Sequence, residues 1–172
     1  QKGRTFRDIV KRDNLIRQRK SFYIRSSFER EALLHVSHII GRTDWDKACT
    51  EQINPNAAYH FCNEILRGSF YENRWQLDKI EPYSIFVSQG SYPIKGLHFM
   101  LKAMPKILER YPQTKLYVAG GNIVKRDTLQ DKMRMSSYGK YLCQLIGSLK
   151  LEGHVFFTGF LDEASMCDRF LR

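Results

Sequence analysis

The sequence offers little to metal or disulfide chemistry. Cys49, Cys62, Cys143 and Cys167 are widely separated, form no Cys-x-x-Cys pair and stand at no ligand spacing from a histidine. That excludes a readable disulfide framework or zinc cluster, and the four read as ordinary reduced cysteines. The five histidines include no His-Glu-x-x-His or similar helical pair, so no metal site is expected. No apolar run approaches the roughly 18 residues that cross a bilayer, and Gln1 to Asp13 is charged and lacks the apolar centre of a signal peptide. The chain therefore reads as soluble and intracellular. Proline and glycine are missing from Phe6 to Val36, and RNP-like, KH-like and zinc-finger patterns are missing throughout.

What is present suits folded material. With 42% apolar and 13% aromatic residues in 172, the chain can build one ordinary domain or pieces of two, which excludes a disordered tail. The net charge of +10 is unevenly placed: residues 1–42 hold 11 Lys/Arg against 4 Asp/Glu, whereas the rest holds 17 against 14. Such an excess serves a solvated face, an anionic membrane or acceptor, or nucleic acid, and the last has no motif behind it.

Phe6 to Val36, rich in Arg, Lys, Glu and Leu, predicts helix with a break near Ser26-Ser27. His38-Ile39-Ile40-Gly41 predicts a short strand. Thr43, with Asp46 three residues on, resembles a capping box and predicts a helix from Asp44 to about Gln52. Arg42 then lies at the strand's carboxyl end, suited either to bind phosphate or carboxylate or to pair with Asp44 or Asp46. Asn54-Pro55-Asn56 is a turn, and Ala57 to Tyr71 carries no assignable pattern. Trp75, Leu77 and Ile80 are expected to pack the connection ahead of Glu81-Pro82. A boundary near Glu81 divides the chain into 1–82 and 83–172.

Tyr83 to Gly96 passes from a β-branched apolar run through a polar Gly/Pro loop into residues at helical spacing, Leu97, Met100, Leu101, Met104, Ile107, Leu108 and Tyr111. Pro105 is expected to kink or interrupt that helix. Lys95-Gly96 falls at its first turn, where unpaired N–H groups and the helix dipole favour an anion; alone, the pair also fits a solvated lysine beside a turn glycine. Lys115 to Ala119 predicts a second strand followed by the tight loop Gly120-Gly121-Asn122. Lys125 to Met135 is charged and irregular, and Tyr138 to Leu149 has helical spacing. Val155 to Thr158 predicts a third strand ending in Gly159-Phe160-Leu161-Asp162, where Asp162 caps a further helix. Three β-α repeats in series predict an α/β fold with parallel strands. The loops after Val87, Ala119 and Thr158 then open on one sheet edge, within reach of a single nucleotide-sized ligand.

Trp45-Asp46-Lys47-Ala48, Ile53-Asn54-Pro55-Asn56, Lys95-Gly96-Leu97, Leu116-Tyr117-Val118-Ala119-Gly120 and Val155-Phe156-Phe157-Thr158-Gly159-Phe160, in this order and spacing, resemble retaining glycosyltransferases of family 4, the group 1 type with the GT-B fold. The likeness covers roughly residues 36–170. It implies two Rossmann-like domains, each a parallel sheet with flanking helices. Residues 1–82 match the end of the N-terminal, acceptor-side domain with its connection, and 83–172 the first half of the nucleotide-sugar-binding domain, so both sheets are incomplete. It further implies a nucleotide diphosphate sugar as donor substrate, a glycan or lipid-linked acceptor, metal-independent catalysis without a cofactor, and a cytoplasmic place in polysaccharide biosynthesis. Peripheral membrane contact through residues 1–42 stays open, and no nucleic acid is expected.

On that map Lys95, Gly90 and Arg42 serve the donor diphosphate, and Gly120, Gly121, Gly159, Phe160 and Leu161 serve the nucleotide. The family's Gly-Arg ahead of Lys-Gly corresponds here to Gln89-Gly90, so the arginine is absent and Arg42 is the candidate replacement. The family's paired glutamates fall beyond residue 172, and its N-terminal glycine loop and acceptor-side histidine before residue 1. The catalytic residues are therefore not assigned, and the piece alone is expected to be inactive.

Overall fold

Leu97, Leu101 and Met104 repeat at helical spacing, while Leu116 and Val118 alternate as residues on one face of a strand must. In the computed structural model, which describes residues 5–11 and 15–172, these two patterns meet in one buried core. The elements in chain order are α1 (Phe6–Val10), α2 (Leu15–Leu34), β1 (His38–Gly41), α3 (Asp44–Glu51), β2 (Ala58–Phe61), α4 (Ser69–Glu72), β3 (Ser84–Val87), α5 (Leu97–Arg110), β4 (Lys115–Ala119), α6 (Leu129–Arg134), α7 (Ser137–Ser148), β5 (Val155–Gly159) and α8 (Glu163–Leu171). Single 3-10 turns lie at Leu77–Lys79 and Pro93–Lys95. The described residues fall into two units: 5–11 with 68–172, and 15–67.

The larger unit holds a parallel sheet in the order β3-β4-β5. Side chains alternate across it. Ile85, Val87, Leu116, Val118, Val155 and Phe157 face the core that α5 and α7 complete with Leu97, Leu101, Met104, Tyr138 and Leu142. Phe86, Tyr117 and Phe156 stand in register on the opposite face. There Phe170 of α8 meets Phe86 edge-on at 5.3 Å, and the Arg169 guanidinium lies 4.1 Å from the centre of the Tyr117 ring. An all-parallel sheet needs cover on both faces; α8 covers part of this one, and Phe156 stays 40% exposed.

Two local expectations need correction here. Pro105 does not interrupt α5, which runs unbroken from Leu97 to Arg110. Trp75 and Leu77 do not pack the connection; they are 57% and 71% exposed, and Ile80 alone is half-buried. The units divide at Arg67–Gly68, whereas Glu81 lies inside the larger one. Its backbone N donates to Arg172 O at 2.9 Å, and its carboxylate accepts from Tyr117 Oη at 2.5 Å and Arg169 Nη1 at 3.1 Å. Pro82 interrupts the sequence pattern, but the segment before it packs with β4 and α8 after it.

In the smaller unit β1 and β2 pair in parallel, His38 opposite Ala58 and Gly41 opposite Phe61. β2 was invisible to patterning because Ala-Tyr-His-Phe shows no clean alternation and stays mostly exposed. The break expected at Ser26-Ser27 is absent. α2 runs through both serines, whose hydroxyls donate to the Tyr23 and Ile24 carbonyls at 2.8 and 2.7 Å, a back-bonding that a helix interior tolerates. Thr43 caps α3 by accepting from Asp46 N at 3.1 Å, while Asp46 reaches past the expected partner to Arg42 N at 3.3 Å.

Asn54 joins these pieces. It is nearly buried, its Nδ2 donates to the carbonyls of Leu33 and Val36 at 2.8 and 2.9 Å, and its Oδ1 accepts from Asn56 N at 3.1 Å. The last carbonyls of a helix lack intrahelical partners, so one side chain both ends α2 and sets the turn into β2. Asn54→Ala leaves those groups unsatisfied at a cost of about 2 kcal/mol. Amide hydrogen exchange across residues 36–61 should accelerate roughly thirtyfold in that variant; unchanged protection would show that the Asn54 bonds do not hold the unit together.

Candidate functional site

Parallel strands place their carboxyl ends together, so the loops after β3, β4 and β5 have to meet at one edge. They are bonded there. Gly90 N donates to Ala119 O at 3.4 Å, Gly120 N donates to Gly159 O at 2.9 Å, and Gly120 pairs with Gly159 in an antiparallel bridge. Gly120 and Gly159 adopt φ values of 100° and 80°, a left-handed region that favours glycine, which lets the second and third loops turn sharply at their contact.

Gly96 has φ 77° and joins the 3-10 turn Pro93–Lys95 to α5. Lys95 is exposed on that turn, and its ammonium pairs with no carboxylate among the described residues. Phe160 is 89% exposed, and a Cβ placed on Gly121 would meet its ring at 3.6 Å. Lys95, Gly90, Gly120, Gly121, Gly159, Phe160 and Leu161 thus share one edge of the larger unit. Arg42 belongs to the smaller unit, where its Nη1 lies 2.8 Å from Glu64 Oε2, an acid the sequence did not single out for it.

Gly90 is buried, and a Cβ on it would stand 2.4 Å from Val118 Cγ1 and 2.8 Å from Leu97 Cδ2. A side chain at residue 90 would start inside the core. Of the two outcomes open to an arginine placed there, tighter phosphate binding or steric conflict, the packing supports conflict.

Beside the first two loops lies a cleft of about 440 Å³ whose lining includes Arg7, Ser91, Tyr92, Asn122, Lys125 and Arg134. The third loop does not line it, nor does Lys95. Three cations from three separate segments face it, and the carboxylate at hand, Asp131, is tied to the Thr128 cap and lies 4.0 Å from Lys125 Nζ. Arg7 comes from α1. That helix is anchored by Asp8, 2% exposed, which accepts from Ser137 N at 3.0 Å and from the Ser137 hydroxyl, and which holds Arg7 Nη1 at 3.2 Å. No local pattern could have paired Arg7 with Ser91. The Thr128–Asp131 capping box that builds α6 was readable, but its relation to the cleft was not.

A model of the glycosyl transferases group 1 family matches residues 69–171, almost the whole C-terminal segment of the larger unit. The chain belongs to that family. This group 1 chain also resembles, in structure, a sucrose-phosphate synthase from Thermosynechococcus elongatus, with a TM-score of 0.58 at 17% identity over 83% of this chain and 35% of that one. The likeness shows the GT-B fold, and the chain spans about a third of that protein's length. No curated protein matches it. Among the described residues of the group 1 chain, no helix is long and apolar enough to cross a membrane, and no three His, Cys, Asp or Glu gather as metal ligands would.

Two predictions come from this edge. Gly90→Ala overpacks the core and should destabilise the protein by about 1–3 kcal/mol, with Gly90→Arg worse. Gly121→Ala, where the nearest atom is the Phe160 ring at 3.6 Å, should change stability by less than about 0.5 kcal/mol. Urea unfolding of the three variants measures the contrast, and equal losses at 90 and 121 would contradict it. The second concerns Asp8. Burial pushes its carboxyl up, but hydrogen bonds from Ser137 and Thr5 outweigh this and hold it below the ordinary value of 3.8. A depressed folded pKa stabilises fully above the unfolded value and is lost as pH falls through the folded one. The Ser137 amide resonance should therefore stay constant above about pH 5 and report loss of the contact only on acidification below 3.8; loss near neutrality would contradict this.

Proposed function

We propose that this chain is part of a retaining glycosyltransferase that moves a sugar from a nucleotide diphosphate donor to a carbohydrate or lipid-linked acceptor. The observation that carries the reading is the convergence at one sheet edge of three hydrogen-bonded loops with positive charge gathered beside them. As the bond from the anomeric carbon to the diphosphate breaks, negative charge collects on the departing phosphate oxygens. Cations and N–H groups already in place stabilise that state without reorganising.

Lys95, at the turn into α5, is the cation this reading assigns to the diphosphate; Gly90, whose N–H is given to Ala119 O, serves by shaping the loop that carries it. The glycine turns at Gly120, Gly121 and Gly159 admit a nucleotide close to the backbone, and Phe160 with Leu161 offers an apolar surface to its base. In this reading residues 83–172 open the donor domain, 1–82 belong to the acceptor side, and the nucleotide sugar is a substrate with no cofactor beside it. The same reading places the enzyme in polysaccharide biosynthesis on the cytoplasmic side. Arg17, Arg19, Lys20, Arg25 and Arg30 on α2, interleaved with exposed Phe22, Tyr23 and Phe28, support peripheral contact with an anionic membrane.

Lys95→Ala should weaken a nucleoside diphosphate about tenfold or more while leaving the nucleoside nearly unchanged, because a charge-assisted bond is lost only from the phosphates. Calorimetric titration of both ligands into both proteins measures the difference. Equal losses would fit general destabilisation and reject Lys95 as the phosphate cation.

A further inference from the structure

The family resemblance leaves loop 88–96 without its arginine, and the packing at Gly90 explains why none can be supplied from that position. Its Cβ direction leads into the core, to Val118 and Leu97. A diphosphate departing from this edge still needs more than one cation, since its charge is spread over several oxygens. The cleft beside the loop holds Arg7, Lys125 and Arg134.

We propose that Arg7 is a diphosphate-binding residue of this site, carrying from α1 the guanidinium that loop 88–96 lacks; the proposal rests on the glycosyl-transfer reading above. Arg7 lines the cleft together with Ser91 and Tyr92, the residues that come directly after Gly90. Its side chain is 26% exposed, and the Asp8 carboxylate that holds Nη1 is itself fixed by Ser137, so the guanidinium is placed before any ligand arrives. A guanidinium is a planar fork whose geometry matches the oxygens of a phosphate. The space, about 440 Å³, is in the range of small-ligand sites. Lys125 and Arg134 add charge from the β4–α6 segment and from α6. Arg42 belongs to the other unit, where it makes an exposed pair with Glu64. Arg7 lies in the same unit as the three loops, and it acts on the phosphates while leaving the base to the second and third loops.

The test uses inorganic pyrophosphate, a nucleoside and a nucleoside diphosphate, titrated into the wild-type chain, Arg7→Gln, Arg7→Lys and Lys95→Ala. Arg7→Gln should weaken pyrophosphate and the diphosphate about tenfold or more and leave the nucleoside alone, with Arg7→Lys in between because it keeps the charge and loses the fork. The salt dependence of pyrophosphate binding should also become shallower in Arg7→Gln. No binding of pyrophosphate by the wild type, unchanged binding by Arg7→Gln, or an equal loss for the nucleoside overturns the assignment. If Lys95→Ala separates diphosphate from nucleoside and Arg7→Gln does not, the inference fails while the wider reading stands. If Arg7→Gln behaves as expected and the full-length enzyme transfers no sugar, the anion site stands and the wider reading fails.

Discussion

The burial of Leu116 and Val118 beneath α5 and α7 is the constraint on which the remaining architecture depends. β4 is the central strand of the larger unit and has to be apolar on one face to meet Leu97, Leu101, Met104 and Leu142. Once β3 and β5 align in parallel on either side of it, every carboxyl end lies at the same edge, and at the ends of β4 and β5 the chain turns on glycine. The site is thus a by-product of the sheet's direction, and its loops are held by the strands rather than by one another. The bond from Gly90 N to Ala119 O ties the first loop to the end of β4, and that from Gly120 N to Gly159 O belongs to an antiparallel bridge at the end of β5. Such positioning avoids the loss of entropy that an untethered loop suffers when it orders around a ligand.

The opposite face of the sheet is closed by a different chemistry. Glu81, Tyr117 and Arg169 form a triangle in which the carboxylate accepts from both partners and the guanidinium stacks on the ring. The hydrogen bond to Glu81, with burial, pushes the Tyr117 hydroxyl above its ordinary pKa. This ties the segment before β3 to the last helix, α8, and accounts for Glu81 lying inside the larger unit despite the proline next to it. The sequence shows the backbone interruption at Pro82 but not the contact that Glu81 makes 88 residues later.

That difference runs through the molecule. β3, α5, β4, α7 and β5 were legible because their apolar residues keep one period each, and the N-caps Thr43 and Asp162 because capping is a local interaction. The parallel edge and the meeting of its three loops then come from connection rules alone. β2 was not legible because a short exposed strand carries no alternation, and α2 misled at Ser26-Ser27 because serine satisfied its hydroxyl inside the helix. Gly90 was legible as a turn residue but not as a core residue: its burial depends on Val118, contributed by the next strand. Arg7 lay further out of reach, since its place depends on Asp8 finding Ser137 across most of the chain.

The distribution of charge around the edge bears on how a dianionic or trianionic group is held. Lys95 stands outside the cleft at the start of α5, whereas Arg7, Lys125 and Arg134 stand within it, so one long ligand could meet the two sets at different atoms. An ammonium on a flexible stem is a point charge that tracks its partner as bonds lengthen; a guanidinium held by Asp8 fixes orientation. Combining the two separates tasks that a single cation performs badly, since rigid recognition of the ground state and stabilisation of charge that grows only in the transition state make opposite demands on mobility. The buried Asp8 carboxylate limits the cost of gathering this much positive charge, and it does so from inside the protein, where its compensation of Arg7 is less exposed to screening by salt than an ion pair on the surface.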